Sequence, residues 1–161
     1  MTTNATPTPQ SPTTTPSDDE PATHTHPPTA TGGWLRGDHY DDTAELPMSR
    51  IAETVHMDLY DVRNDNMLPA IADFEVSLDD SGPVPVLRIG IAGLIGEPGG
   101  IGDRSVVYDV MRSVFGLANH YNRVNLARPT DARFIQHIIA LNTDGEPDVV
   151  LIGMMHDDVT A

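Results

Sequence analysis

The 161-residue chain has no cysteine. Disulfides, thiolate nucleophiles and cysteine-ligated zinc or iron–sulfur sites are thereby excluded, and cysteine usage says nothing about the redox compartment. Lysine is also absent, all nine basic residues being arginine. That removes Schiff-base chemistry, lysine general bases and any Walker-type loop, whose lysine reaches the β- and γ-phosphates. No apolar run approaches the roughly 18 residues of a membrane span. The start, MTTNATPTPQ, has neither the basic nor the apolar region of a signal peptide, so a cytoplasmic protein without membrane association is expected. Basic residues are outnumbered by 24 acids, for a net charge of −15. Affinity for a phosphate backbone comes from basic side chains that displace counterions, so direct nucleic-acid binding is not expected, whereas a basic protein partner is permitted.

The content that remains is organised in order. Residues 1–31 are threonine, proline and acid with almost no large apolar side chain, too little to offset the entropy of ordering, and they read as disordered. GGWLRGDHYDDTAEL follows with the only tryptophan, a candidate start of order. The working division is an acidic Thr/Pro-rich tail over 1–42 and a single α+β domain over 43–161. PMSRIAETVHMDLYDVRND places Ile51, Val55, Leu59 and Val62 at helical spacing, with Ala52 beside them. ADFEVSLDD alternates Phe74, Val76 and Leu78 with polar residues, a half-buried strand. After DDSGP, VPVLRIGIAGLI returns as a second strand with Leu87, Ile89 and Ile91 toward the core. A second helix is expected over 104–122, capped by Asp103 or Ser105. RFIQHIIALN and DVVLIGMMH then form a hairpin about TDGEP, apolar enough on both faces to be central or covered.

The order αββαββ predicts a two-layer domain: a four-stranded, mainly antiparallel sheet with both helices on one face. A shift of 63 residues lays LDDSGPVPVLRIGI on LNTDGEPDVVLIGM without a gap, matching Leu78 to Leu141 and Ile89 to Ile152. This raises the prospect of two αββ half-repeats.

Few motifs carry chemistry. The run GIAGLIGEPGGIG, residues 90–102, has glycine at every third position. It is too short for collagen. The portion AGLIGEPGG lacks the aspartate-rich ending of the LAGLIDADG endonuclease signature that it superficially resembles. Strand, glycine loop and helix could cradle a phosphate, but Ser105 stands where GxGxxG needs its third glycine, and a hairpin follows the helix. A structural loop is the better reading. Arg36–Asp38 spell RGD beside the tail, a tripeptide that arises readily by chance. His39, Asp41 and Asp42, with His156, Asp157 and Asp158, would make a divalent-cation site only if the two ends met, and His24 and His26 lie in the tail. GxSxG and HExxH are missing, and no two of the carboxylates are singled out. No catalytic residue, metal site or cofactor is therefore expected, and the chain reads as a non-enzyme.

The Thr/Pro tail, GGWLRGDHYDD, the helix RIAETVHMDLYDV and the hairpin ADFEVSL…VPVLRIGIAGL together resemble small uncharacterised accessory proteins of actinobacterial phages and conjugative plasmids, over roughly residues 30–95. The resemblance implies a mobile-element setting and carries no catalytic residues. The function expected is protein interaction, through a sheet face free of helices that presents Val86, Arg88 and Gly90 beside Gln136 and His137, with a homodimer as one arrangement. The exposure of Ile135, Val150, Ile152 and Met154 is the discriminating feature. Two alternatives stand beside it. An anti-defence DNA mimic would need its acids on one continuous face, and residues 47–161 carry 17 acids and eight arginines, a net −9. A small metal-dependent enzyme would need His39 and His156 to meet.

Overall fold

The computed structural model describes residues 33–96, 101 and 103–153. The helical stripe read from the sequence builds a helix over Met48–Asn64, α2 in chain order. Ile51, Val55 and Leu59 are fully buried on its inner face, and Ala52 lies beside them. Each large side chain so placed contributes about 1.5–3 kcal/mol relative to an exposed one. The helix stops at Asn66, which takes a left-handed φ of 61°. Asn66 N–H donates to Arg63 and Met67 N–H to Val62, the paired bonds of a Schellman ending.

Strands β2 (Asp73–Asp79) and β3 (Val86–Ala92) form the expected antiparallel hairpin, and helix α3 spans Arg104–Asn119. Asp103 caps α3, its carboxylate accepting the Ser105 N–H at 2.8 Å. Strands β6 (Ile135–Leu141) and β7 (Pro147–Gly153) make the second hairpin. The sheet runs β2-β3-β6-β7. Both outer pairs are antiparallel, whereas the central pair, β3 with β6, is parallel. The cause is the intervening helix: α3 carries the chain back along the sheet so that β6 starts from the same end as β3.

Phe74, Leu87, Ile89, Ile91, Ile138, Ala140 and Val149 project from one face of this sheet into a core with Val107, Met111, Val114 and Ala118 of α3 and the α2 stripe. Both long helices thus contribute to the core on one face. The 63-residue shift is odd, so it matches core-facing Leu78 and Ile89 to Leu141 and Ile152 on the opposite face.

A second, three-stranded sheet was not foreseen. It runs β1 (Trp34–Arg36), β4 (Arg123–Asn125) and β5 (Arg128–Ala132), and a four-residue helix α1 spans Tyr40–Thr43. Residues 33–42, assigned to the tail on composition, therefore hold β1 and the start of α1. Arg133 ties this segment down, its guanidinium donating to Thr43 Oγ1 at 3.0 Å and to the Tyr121 carbonyl at 2.9 Å. Arg123 stacks over the Trp34 ring with its guanidinium carbon 4.6 Å from the centroid. Gly37 lies so close to the end of α3 that a Cβ would stand 2.0 Å from the Asn119 carbonyl oxygen. The expected second helix ends three residues early, at Asn119, because residues 123–125 are drawn into pairing with β1.

Residues 1–31, Met154 and His156 fall outside the described residues, as do Gly99, Gly100 and Gly102. Within the glycine run, Gly93 has a φ of +82° and sits where a Cβ would stand 2.1 Å from the Ile71 carbonyl oxygen. Only glycine fits that position.

Candidate interaction face

Strand register decides which side chains share the face away from the helices. Cα partners on neighbouring strands point to the same side, so each cross-strand row can be read directly. One row runs Ser77, Arg88, His137, Ile152; the next runs Glu75, Gly90, Ile139, Val150; a third joins Asp79, Val86 and Ile135. The composition changes steadily across the sheet. Strand β2 contributes Asp73, Glu75 and Asp79. Strand β3 contributes Val86, Arg88, Gly90 and Ala92. Strands β6 and β7 contribute Ile135, His137, Ile139, Leu141, Val150 and Ile152. Val150 is 48% exposed and Ile152 61%.

Four of the five residues expected on this face are there: Val86, Arg88, Gly90 and His137. Gln136 is the exception. Adjacent residues of a strand point to opposite sides, and Gln136 pairs in register with Leu87, so it lies fully buried among the core side chains. Its Nε2 donates to Asn119 Oδ1, while its Oε1 has no partner. The residues that give the face its apolar character include Ile139 and Leu141, which had not been singled out. The signal was present as the alternation of the strand, but a run apolar on both sides does not say which parity faces out.

The polar end of the face is organised around Asp79. Its Oδ2 accepts from Arg88 at 2.8 Å, and its Oδ1 accepts from the Ser81 hydroxyl at 2.6 Å and the Ser81 N–H at 3.2 Å. Those bonds from Ser81, with Arg88 and His137 adding to them, hold the carboxyl below its ordinary value. At Gly90 the face has a trough, since an added Cβ would only reach ordinary contact with Leu141 at 3.6 Å and Glu75 at 3.8 Å.

A second concavity lies where α1 meets the helices. It is lined by His39, Asp58, Asp61, Val62, Leu117 and His120 and measures about 220 Å³. That is below the roughly 300–1,000 Å³ of most small-molecule sites. The rings of His39 and His120 stand 5.5 Å apart, and that of Tyr121 stands 5.4 Å from His39. Tyr121 donates its hydroxyl to Asp58. Burial and then that bond push the phenol well above its ordinary value, so it stays protonated and is no base at neutral pH. Among the described residues no group of three His, Asp or Glu side chains could hold a metal ion. His39 lies at this cleft, and its supposed counterpart His156 is outside the described residues.

The glycine loop's phosphate reading meets a physical obstacle. The α3 N-terminus, which an anion would need, is already capped by the Asp103 carboxylate. The RGD tripeptide is built into the fold, Arg36 donating to Asp41 at 3.1 Å and Gly37 N–H to the Asn122 carbonyl at 2.9 Å. Among the described residues no helix is long and apolar enough to cross a membrane. No protein-family model matches the chain, and comparison with curated proteins and with solved structures finds no match.

Proposed function

We propose that the protein is a small, non-enzymatic interaction module that works inside the cell as an accessory protein, docking another protein on the open sheet face. One observation carries the reading: a face that no described residue covers and whose β6–β7 half is apolar, with Val150 and Ile152 both more than 45% exposed. Scattered apolar side chains are normal on a surface, but a contiguous row of them on a flat sheet marks a contact site. The mobile-element setting rests on the resemblance of residues 30–95 alone.

A second reading, an anti-defence DNA mimic, is favoured by the acids Asp73, Glu75, Asp79 and Asp80 at one edge of the sheet. It is opposed by the arginines that pair with neighbouring acids, Arg88 on Asp79 at 2.8 Å and Arg63 near Asp73 at 3.9 Å. No observation favours the metal-dependent enzyme.

The test is capture from nuclease-treated host lysate by the full chain, beside Ile139→Glu on the open face and Met57→Glu on the outside of α2. The interaction reading expects a partner lost with Ile139→Glu, kept with Met57→Glu and indifferent to added DNA. A partner kept by both variants and displaced by DNA would transfer support to the mimic. If Ile139→Glu loses nothing that the parent binds, the open face is not a docking site.

A further inference from the structure

We infer that a second copy of the same chain adds to the β7 edge of this sheet, the two β7 strands pairing antiparallel about a twofold axis. The inference goes beyond the interaction reading above, because it concerns the edge of the sheet and leaves the open face to another partner. The two edges of the sheet are treated differently. Strand β2, one edge, carries Asp73, Glu75 and Asp79, the charges by which natural sheets block strand addition. Strand β7, the other edge, is guarded among the described residues only at its start, by Pro147, the irregularity opposite Ala140 and Leu141, and the Arg104–Asp148 pair at 3.1 Å. From Val149 to Gly153 it has no charge and, among the described residues, no neighbour but β6.

Three arguments select a second copy. First, the segment is self-complementary: antiparallel pairing centred on Leu151 sets Val150 of one copy against Ile152 of the other, both on the open face. Second, the long N-terminal segment has no strand to offer this edge, since residues 1–32 hold a single large apolar side chain, Met1. Third, two chains of charge −15 repel, so they must meet where acid is scarcest. Pairing at β7 leaves each β2 three strand spacings, about 14 Å, behind its own β7. The product is a continuous eight-stranded sheet whose two open faces form one platform, still free to receive a partner.

The full chain should show a monomer–dimer equilibrium by analytical ultracentrifugation. The association should tighten with added salt, because screening weakens the repulsion between like-charged copies. Ile152→Lys should weaken association at least tenfold with the fold intact by circular dichroism, and Glu75→Lys on the guarded edge should not weaken it. Because there is no native cysteine, Leu151→Cys can form a disulfide only between copies, and mild oxidation should give a covalent dimer. A chain that stays monomeric to millimolar concentration overturns the inference. So does a dimer indifferent to Ile152→Lys, or one that loosens with salt. A monomer that still captures a partner through Ile139 sinks the second-copy inference alone. A β7 dimer whose Ile139→Glu variant loses no partner sinks the docking reading and leaves the dimer.

Discussion

The two faces of the four-stranded sheet are built from the same strands and obey opposite rules. On the inner face Leu87, Ile89, Ile91 and Ile138 are fully buried. On the outer face the same strands present Glu75, Arg88, Gly90, Ile139 and Ile152, graded from acidic at β2 to apolar at β7. The inner face is explained by the fold, which needs it to hold α2 and α3. The outer face is not. Its β2 half looks as a solvated sheet should, and its β7 half carries apolar side chains that do nothing for the described fold. That asymmetry is the reason for placing function there.

The sharpest way to break the comparison is to make the same substitution on both faces. Ile138→Ala opens a cavity in a packed core and should cost about 2–5 kcal/mol, a large part of a small domain's total stability. Ile152→Ala, one strand away on the other face, should change stability by about 0.5 kcal/mol or less. Urea unfolding at low protein concentration, where copies are apart, measures both. Comparable losses would mean that Ile152 is covered in the monomer, and the open face would be an incorrect description.

Gln136 tests the inner face from the other direction. It is a buried polar side chain whose Oε1 lacks a partner. Leaving such a group unsatisfied costs about 1–3 kcal/mol. Gln136→Met removes it at similar volume, and Asn119, half-exposed, can turn its freed oxygen to water. A gain of about 1 kcal/mol is expected, read as a higher urea midpoint with an unchanged slope. A clear loss would show that the bond to Asn119 matters more than the orphaned oxygen.

Much of this was legible in the sequence, and the failures have physical causes. The helical stripe of Ile51, Val55 and Leu59 and the alternation of Phe74, Val76 and Leu78 fix two elements, because period and composition agree. The capping of α3 was readable as Asp103 or Ser105, and the structure gives it to Asp103, which accepts the Ser105 N–H. Strands β4 and β5 were not readable, since RVN and RPTDA have no alternation and exist only through pairing, β4 with β1 and β5 with β4. The parallel β3–β6 pair is a matter of topology, which local pattern does not encode. Gln136 and His137 could not both face outward, and the period of two says so; which one does is decided by the long-range register with Arg88. The cleft at His39, Asp58 and His120 joins residues up to 81 positions apart in the numbering, 39 to 120, and left no local signature.

A smaller effect comes from Tyr121, whose hydroxyl bonds Asp58 beneath that cleft. Its folded-state value lies above the ordinary one, first through burial. The native state therefore holds this proton more tightly than the unfolded chain does. The stabilisation is complete below about pH 10 and is lost as pH rises through the folded value. Tyr121→Phe should flatten the alkaline decline of the urea midpoint between about pH 10 and 12. An unchanged decline would assign it to other groups.

The smallest predicted effects come from a motif used once for each face. Asp79-x-Ser81 ends β2 on the open side, and Asp103-x-Ser105 begins the helix that covers the inner side. In both, one carboxylate oxygen accepts the serine hydroxyl and the serine N–H, at 2.6 and 3.2 Å in the first and 2.8 Å for each in the second. The serine hydroxyl's bond, then the N–H bond, lowers each carboxyl below its usual value. A depressed native value stabilises the fold above the unfolded value, near pH 4, and the contribution fades as pH falls through the native one. Asp79→Asn and Asp103→Asn keep an acceptor and remove the charge, so each should lower stability slightly at pH 7, match the parent at low pH and thereby soften the acid limb of the stability profile. Both side chains are exposed, so each shift should be small. The Asp103 variant should show the larger one, because its charge also faces the positive end of α3. The reverse order would mean that the Arg88 pair on the open face outweighs a helix terminus, and that the polar end of that face is more rigid than its exposure suggests.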